Sequence, residues 1–150
     1  MQANAKPLYE DSFAVEGGNF DNAGRVSSNI KSILKKMGLS SDVVRRAALV
    51  AYESEINIVS YSRGGLIHLR VGSDRVLIEA VDEGQGIAGI ELAMQKGYST
   101  ATEKIREMGF GAGMGLYNIK SFSDYFQITS EVGRGTCLKM IISISDAAGA

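Results

Sequence analysis

Four glycines at every second position, Gly109, Gly111, Gly113 and Gly115, occur in the run Gly109-Phe110-Gly111-Ala112-Gly113-Met114-Gly115-Leu116, which leads directly into a segment with helical spacing. Glycine has no Cβ, so such a run reaches φ > 0 freely and lets a bound group come close to the backbone. Successive N–H groups then converge on one point, and a helix starting there adds its positive end. An anion, phosphate above all, suits that arrangement. The alternative is a plain glycine hinge, but hinges bring serine and other polar residues and lead into no defined element. Leu116, Ile119, Phe122 and Phe126 follow here, apolar at near-helical intervals, and favour the phosphate cradle. The G-x-G-x-G-x-G spacing, with no Gly-Lys-Ser/Thr ending, matches neither the P-loop nor the dinucleotide fingerprint.

The 150 residues, 45% of them apolar, suit one compact domain with a substantial core. Sixteen Lys and Arg (16) against 17 Asp and Glu leave a net charge of -1, which gives no electrostatic case for nucleic acid or a membrane surface. A single cysteine, Cys137, allows no intrachain disulfide, suggests no zinc site and agrees with a reducing cytosol. No stretch has the roughly 18 to 20 apolar residues of a membrane helix, and the start lacks a signal-peptide pattern, so a cytoplasmic location is expected.

Met1 to about Asp11 is polar and aperiodic and is expected to be a loose arm, with residues 12–145 as the single domain and 146–150 as a frayed tail. Ser12 to Glu16 alternates like a strand. Asp21 is the expected N-cap of a helix running to Met37, with Gly38 just past its end. Ser40 or Ser41 caps a second helix, which Gly64-Gly65 should stop. Leu66–Val71 and Arg75–Val81 form a hairpin about Gly72-Ser73-Asp74. A short helix over Gly89–Gln95, a helix over Met114–Asp124, and strands over Tyr125–Ser130 and Thr136–Ile144 complete the order. Helices followed by strands imply an α+β fold: a two-layer sandwich with a mixed, mostly antiparallel sheet covered on one face by helices.

Three further clusters bear on chemistry. Glu53 and Asn57 lie four apart and project from one helix face. The amide oxygen suits Mg²⁺ and the carboxylate suits polarising a nucleophile, although a solvent-facing polar stripe reads the same way. Asp82-x-Gly84-x-Gly86 ends a strongly strand-like run. Its carboxylate can accept from an exocyclic amine such as adenine's while the glycines admit a flat ring; an ordinary Asp/Gly turn is the plainer reading. Gly133-x-Gly135-Thr136, alone, is a glycine hairpin.

In order, these boxes are Glu-x-x-x-Asn on a helix, Asp-x-Gly-x-Gly after a strand, a variable segment, Gly-x-Gly before a helix and Gly-x-Gly-Thr before a last strand. The arrangement resembles the GHKL ATPase superfamily over about Phe13 to Ile144. The resemblance implies the Bergerat ATP-binding fold, with ATP or ADP and Mg²⁺ as cofactors. It implies that Asn57 binds Mg²⁺, that Glu53 is the catalytic carboxylate and that Asp82 recognises the adenine amino group. Gly84 and Gly86 would shape the adenine pocket with Thr136 nearby. The loop from Gly109 through Gly111, Gly113, Met114 and Gly115 to Leu116 would close over the phosphates, and Lys96 to Gly109 would form a lid. Lys104, Arg106 and Lys120 are candidate phosphate-facing charges, each otherwise a solvated side chain.

The only histidine, His68, falls in a predicted strand, and the length leaves no room for a dimerisation or transducer domain. The chain looks most similar to the anti-sigma-factor serine/threonine kinases of the SpoIIAB, RsbW and RsbT type. Gly97-Tyr98-Ser99-Thr100 and Tyr61, four after Asn57, are closest to the RsbT pattern, while the segment Tyr98–Met108 is longer. That resemblance implies transfer of the ATP γ-phosphoryl group to a STAS-type anti-sigma-factor antagonist. It also allows a sigma-factor partner and a homodimer. A nucleotide-dependent binding module with little turnover and the ATP-binding subunit of a split histidine kinase are the alternatives.

Overall fold

A computed structural model describes residues 6–84 and 115–144. The first strand, β1 (Tyr9–Glu16), starts three residues earlier than the alternation from Ser12 suggested. Tyr9 pairs with Val71 and packs, like Phe13, against the core, so the inward alternation extends back through the polar stretch. A 3-10 turn (Phe20–Asn22) and helix α1 (Arg25–Lys36) follow.

The expectation of an Asp21 N-cap is corrected. Asp21 lies within the 3-10 turn, and the α1 cap position is Gly24, with φ 98° and no side-chain cap of its own. The cap comes instead from the next helix. Glu55 accepts from the backbone N–H groups of Gly24 (3.0 Å), Val26 (3.2 Å) and Ser27 (3.1 Å). A carboxylate at a helix N-terminus satisfies orphan donors and meets the positive end of the dipole, which is why a residue only 2% exposed is tolerated there. Glu55→Ala strands these donors, two of them in buried bonds, and is expected to destabilise the fold by about 3 kcal/mol in denaturant unfolding. Glu55→Gln keeps an acceptor oxygen and should recover part of that loss.

At its other end α1 closes in a Schellman motif: Leu39 N–H donates to Leu34 O at 3.3 Å and Gly38 N–H to Lys35 O at 3.0 Å, with Gly38 at φ 81°. Ser40 then caps α2 (Ser41–Tyr61), its Oγ accepting from Val43 N–H at 3.3 Å. The helix does not wait for Gly64-Gly65. It stops at Tyr61, and both glycines lie inside β2 (Ser62–Val71), at an irregularity in the register between Ser62 and Gly65. A Cβ on Gly65 would collide with the Val81 carbonyl oxygen, so the glycine serves close strand packing rather than termination.

The hairpin closes through Gly72 N–H to Arg75 O at 2.9 Å and leads into β3 (Arg75–Gly84). Helix α3 (Gly115–Ser121) and strands β4 (Tyr125–Glu131) and β5 (Gly135–Ser143) complete the described elements. The strand order is β1-β2-β3-β5-β4, and all four ladders between described strands are antiparallel.

Alternation along the strands sends one set of side chains inward. Ile67, Leu69, Ile78, Met140 and Ile142 are fully buried against Ile30 and Leu34 of α1, Val50 and Ile58 of α2 and Ile119 of α3. Among the described residues nothing packs on the opposite sheet face, where Leu66 and Val81 are each 50% exposed. The expected two-layer α+β sandwich is thus what forms. The long helix α2 lies at its centre, packed on α1, α3 and the sheet. Among the described residues no helix is long and apolar enough to cross a membrane.

Candidate functional site

Helix α2 carries Glu53 and Asn57 on the side that faces the start of α3. A Cβ placed on Gly115 would lie 3.6 Å from Glu53 Oε1 and 3.7 Å from Asn57 Oδ1. The last glycine of the loop therefore rests directly against both polar groups, and they are not a solvent stripe. Asn118, one helical turn further, donates from Nδ2 to Glu53 Oε2 at 3.3 Å. Burial pushes the Glu53 carboxyl above the ordinary range for glutamate, and the Asn118 hydrogen bond pulls in the opposite direction.

Leu116, expected to bind the cofactor, buries its side chain in the core and so anchors the beginning of α3. Lys120, also on that helix, is exposed. The helix is further fastened to α2 by Arg46, whose Nε donates to Phe122 O at 3.2 Å and whose guanidinium pairs with Asp124 at 3.1 Å.

A second cluster lies where β3 meets β5. Asp82 Oδ1 accepts from the Thr136 backbone N–H at 3.1 Å. Burial raises the Asp82 carboxyl above its ordinary range, opposed by the N–H of Thr136, the hydroxyl of Ser62 and the N–H of Gly84. Thr136 is buried, and its Oγ1 lies 2.9 Å from Ser130 Oγ. Gly135, at φ 141°, packs so tightly that a Cβ would strike the Asp82 carbonyl oxygen. Gly84 lies against the end of α2: a Cβ there would be 2.7 Å from Ser62 Oγ and 3.1 Å from the Tyr61 carbonyl oxygen. Tyr61 is one helical turn beyond Asn57, so both clusters border the C-terminal half of α2.

The structure thus joins Glu53, Asn57 and Gly115 in one group and Asp82, Gly84 and Thr136 in the other. Gly86, Gly109, Gly111, Gly113 and Met114 lie outside the described residues, as do Lys104, Arg106, the helix expected over Gly89–Gln95 and the lid expected over Lys96–Gly109.

Three participants escaped the sequence reading. Asn118 stands three residues after Gly115, where a side chain on the same face as the loop could have been anticipated. Ser62 carried no signal, because its role depends on where β3 ends. Glu55 did carry one: at two positions from both Glu53 and Asn57 it must point elsewhere on the helix, and in an apolar segment a buried carboxylate needs donors.

Among the described residues no group of three or more His, Cys, Asp and Glu side chains gathers to hold a metal.

Comparison with known proteins agrees with this fold. Residues 19–142 match the histidine kinase-like ATPase domain. An anti-sigma F factor of Thermoanaerobacter sp. (strain X514) is 30% identical over 118 residues, covering 79% of this chain and 75% of that protein. The serine/threonine-protein kinase RsbT of Bacillus subtilis (strain 168) is 30% identical over 115 residues, covering 74% of this chain and 80% of that one. An anti-sigma F factor of Clostridium acetobutylicum is 35% identical over 102 residues, 67% of this chain and 62% of its own length. With the match spanning most of the domain and the four boxes in order, the chain belongs to the histidine kinase-like ATPase family, in its anti-sigma-factor kinase branch.

Proposed function

We propose that this protein binds Mg·ATP and transfers the γ-phosphoryl group to a serine or threonine hydroxyl of a partner protein, a STAS-type anti-sigma-factor antagonist. The observation that carries the reading is the meeting of Gly115 with Glu53 and Asn57. A loop suited to phosphate ends against a carboxylate and an amide oxygen, the two groups that phosphoryl transfer needs beside it.

The donor set fits the implied groups. Asn57 Oδ1 is a hard oxygen ligand of the type Mg²⁺ takes, and the Asp82 carboxylate, which already accepts from the Thr136 N–H, is an acceptor of the kind an exocyclic amine donates to. Mg²⁺, when bound, offsets the negative charge of the phosphates. Glu53 orients the acceptor hydroxyl and takes its proton as the oxygen attacks. Asn118 fixes one carboxylate oxygen, leaving the other toward Gly115. Asp82 accepts from the adenine amino group, and Thr136 supports it from behind.

Isothermal titration with Mg·ATP and Mg·ADP tests the first half of this reading: saturable binding of both is expected, and heat from neither would end it. Phosphoamino-acid analysis of a mixture with candidate antagonists tests the second. Label that survives acid is phosphoserine or phosphothreonine, whereas acid-labile label would point to a histidine acceptor instead.

A further inference from the structure

The sheet face opposite the helices carries an arrangement separate from the proposed nucleotide site. Ser12 on β1 stands directly opposite His68 on β2, and Ser12 Oγ lies 2.7 Å from His68 Nδ1. The other ring nitrogen, Nε2, lies 2.8 Å from Glu10 Oε2. An ionised carboxylate only accepts, so Nε2 carries the ring proton and donates it to Glu10. In the neutral imidazole Nδ1 is then the acceptor, and the Ser12 hydroxyl must donate to it. A hydroxyl, a base and a group that orients the base are thereby aligned in order.

The surroundings decide what such a serine can do. Its own backbone N–H is taken by Asp11 Oδ1 at 2.8 Å, which puts a carboxylate where acyl transfer would need a donor for the developing oxyanion. Acyl hydrolysis is thus unsupported. A phosphoryl acceptor needs no such donor, because the site holding the phosphoryl donor supplies the charge stabilisation.

We propose that Ser12 is a phosphoacceptor, activated by His68 and Glu10, for a phosphoryl group delivered from a nucleoside triphosphate held by a second copy of this chain. The delivery is intermolecular because Ser12 faces away from the helices, on the sheet side opposite the core that Val15 enters, while Glu53 and Asn57 belong to the helical layer. In the transfer the Ser12 Oγ–Pγ bond forms and the bond from Pγ to the β-phosphate oxygen breaks. The hydroxyl proton passes to His68 Nδ1, and the nucleoside diphosphate leaves with the electron pair. The phosphoserine then lies beside an imidazolium, which favours it, and competes with Glu10 for that cation. As regards the donor, this proposal rests on the nucleotide site described above.

The test incubates the full chain with Mg·[γ-³²P]ATP and maps acid-stable label by mass spectrometry. Label is expected at Ser12, at a rate rising more steeply than linearly with protein concentration. Ser12→Ala should remove it. His68→Gln should slow it by about 100-fold, the usual contribution of a general base, and Glu10→Gln by less. Titration should show unchanged Mg·ATP affinity in all three variants. Nucleotide bound and turned over with Ser12 unlabelled, or labelling indifferent to His68→Gln, overturns the proposal. If no nucleotide binds, the nucleotide-site reading has failed, and acetyl phosphate replaces ATP as donor: selective, His68-dependent label at Ser12 upholds its activation, and none refutes it.

Discussion

Asp82→Asn is expected to weaken Mg·ATP and Mg·ADP binding by roughly 10- to 150-fold, the equivalent of about 1.5–3 kcal/mol for a hydrogen bond to a charged group. The asparagine can keep its oxygen toward the Thr136 N–H, which Asp82 now holds at 3.1 Å, and so preserve the β3–β5 junction. In the proposed binding mode its amide nitrogen then faces the adenine amino group, donor against donor. Asp82→Ala loses both contacts and should show the same binding defect with an added fall in melting temperature. Because burial raises the Asp82 carboxyl, protonation should reduce nucleotide affinity as pH falls through a range above that of an ordinary aspartate. Affinity lost at acid pH in the wild type and flat in Asp82→Asn would identify this carboxyl. Wild-type affinity in Asp82→Asn would remove it from the binding site.

The second large effect concerns turnover. Glu53→Gln should lower the rate of phosphoryl transfer by about 10² to 10⁴ while nucleotide affinity changes little, since the glutamine keeps a similar shape beside Gly115 and Asn118. A general base acts in its deprotonated form, so the rate should rise with pH through the raised Glu53 value and be lost below it. Asn118→Ala removes the hydrogen bond that opposes burial. It should therefore shift this limb of the profile upward, a change that simple loss of stability would not produce. Single-turnover rates across pH for the three proteins measure it, and a Glu53→Gln rate equal to wild type would exclude the carboxylate as base.

Glu53 and Glu55 show why burial alone does not decide a carboxylate's role. They stand two apart on one helix and are therefore turned to different sides. Glu55 meets three backbone donors at the start of α1 and is fixed there. Glu53 meets one amide and the edge of a glycine loop, which leaves it acceptor capacity for a substrate. The first is a structural anchor, and the second is suited to chemistry.

Local physics made much of this protein legible in its sequence. The Ser40 cap, the Gly38 terminus and the Gly72-Ser73-Asp74 turn act over a few residues, and the structure has all three. The runs Leu66–Val71, Arg75–Val81 and Thr136–Ile144 could be read as strands for the same reason. Glu53 and Asn57 could be paired because helical periodicity alone puts positions four apart together.

Other features depended on chain segments that sequence distance hides. Gly64-Gly65 looked like a helix stop because glycine disfavours helices, but the use of Gly65 was set by the backbone of β3 passing alongside, and Gly64 lies against the carbonyl oxygen of Val15 in β1. Asp21 looked like a cap because its side chain is a common one, yet a carboxylate 34 positions later took that role from another helix. The Asn118–Glu53 and Ser12–His68–Glu10 contacts likewise join residues from separate elements. Sequence determined these elements, since they follow from short-range sterics and periodicity. Which polar groups finally met was decided only by packing the layers together, because the partner each buried donor or acceptor finds is a property of tertiary proximity.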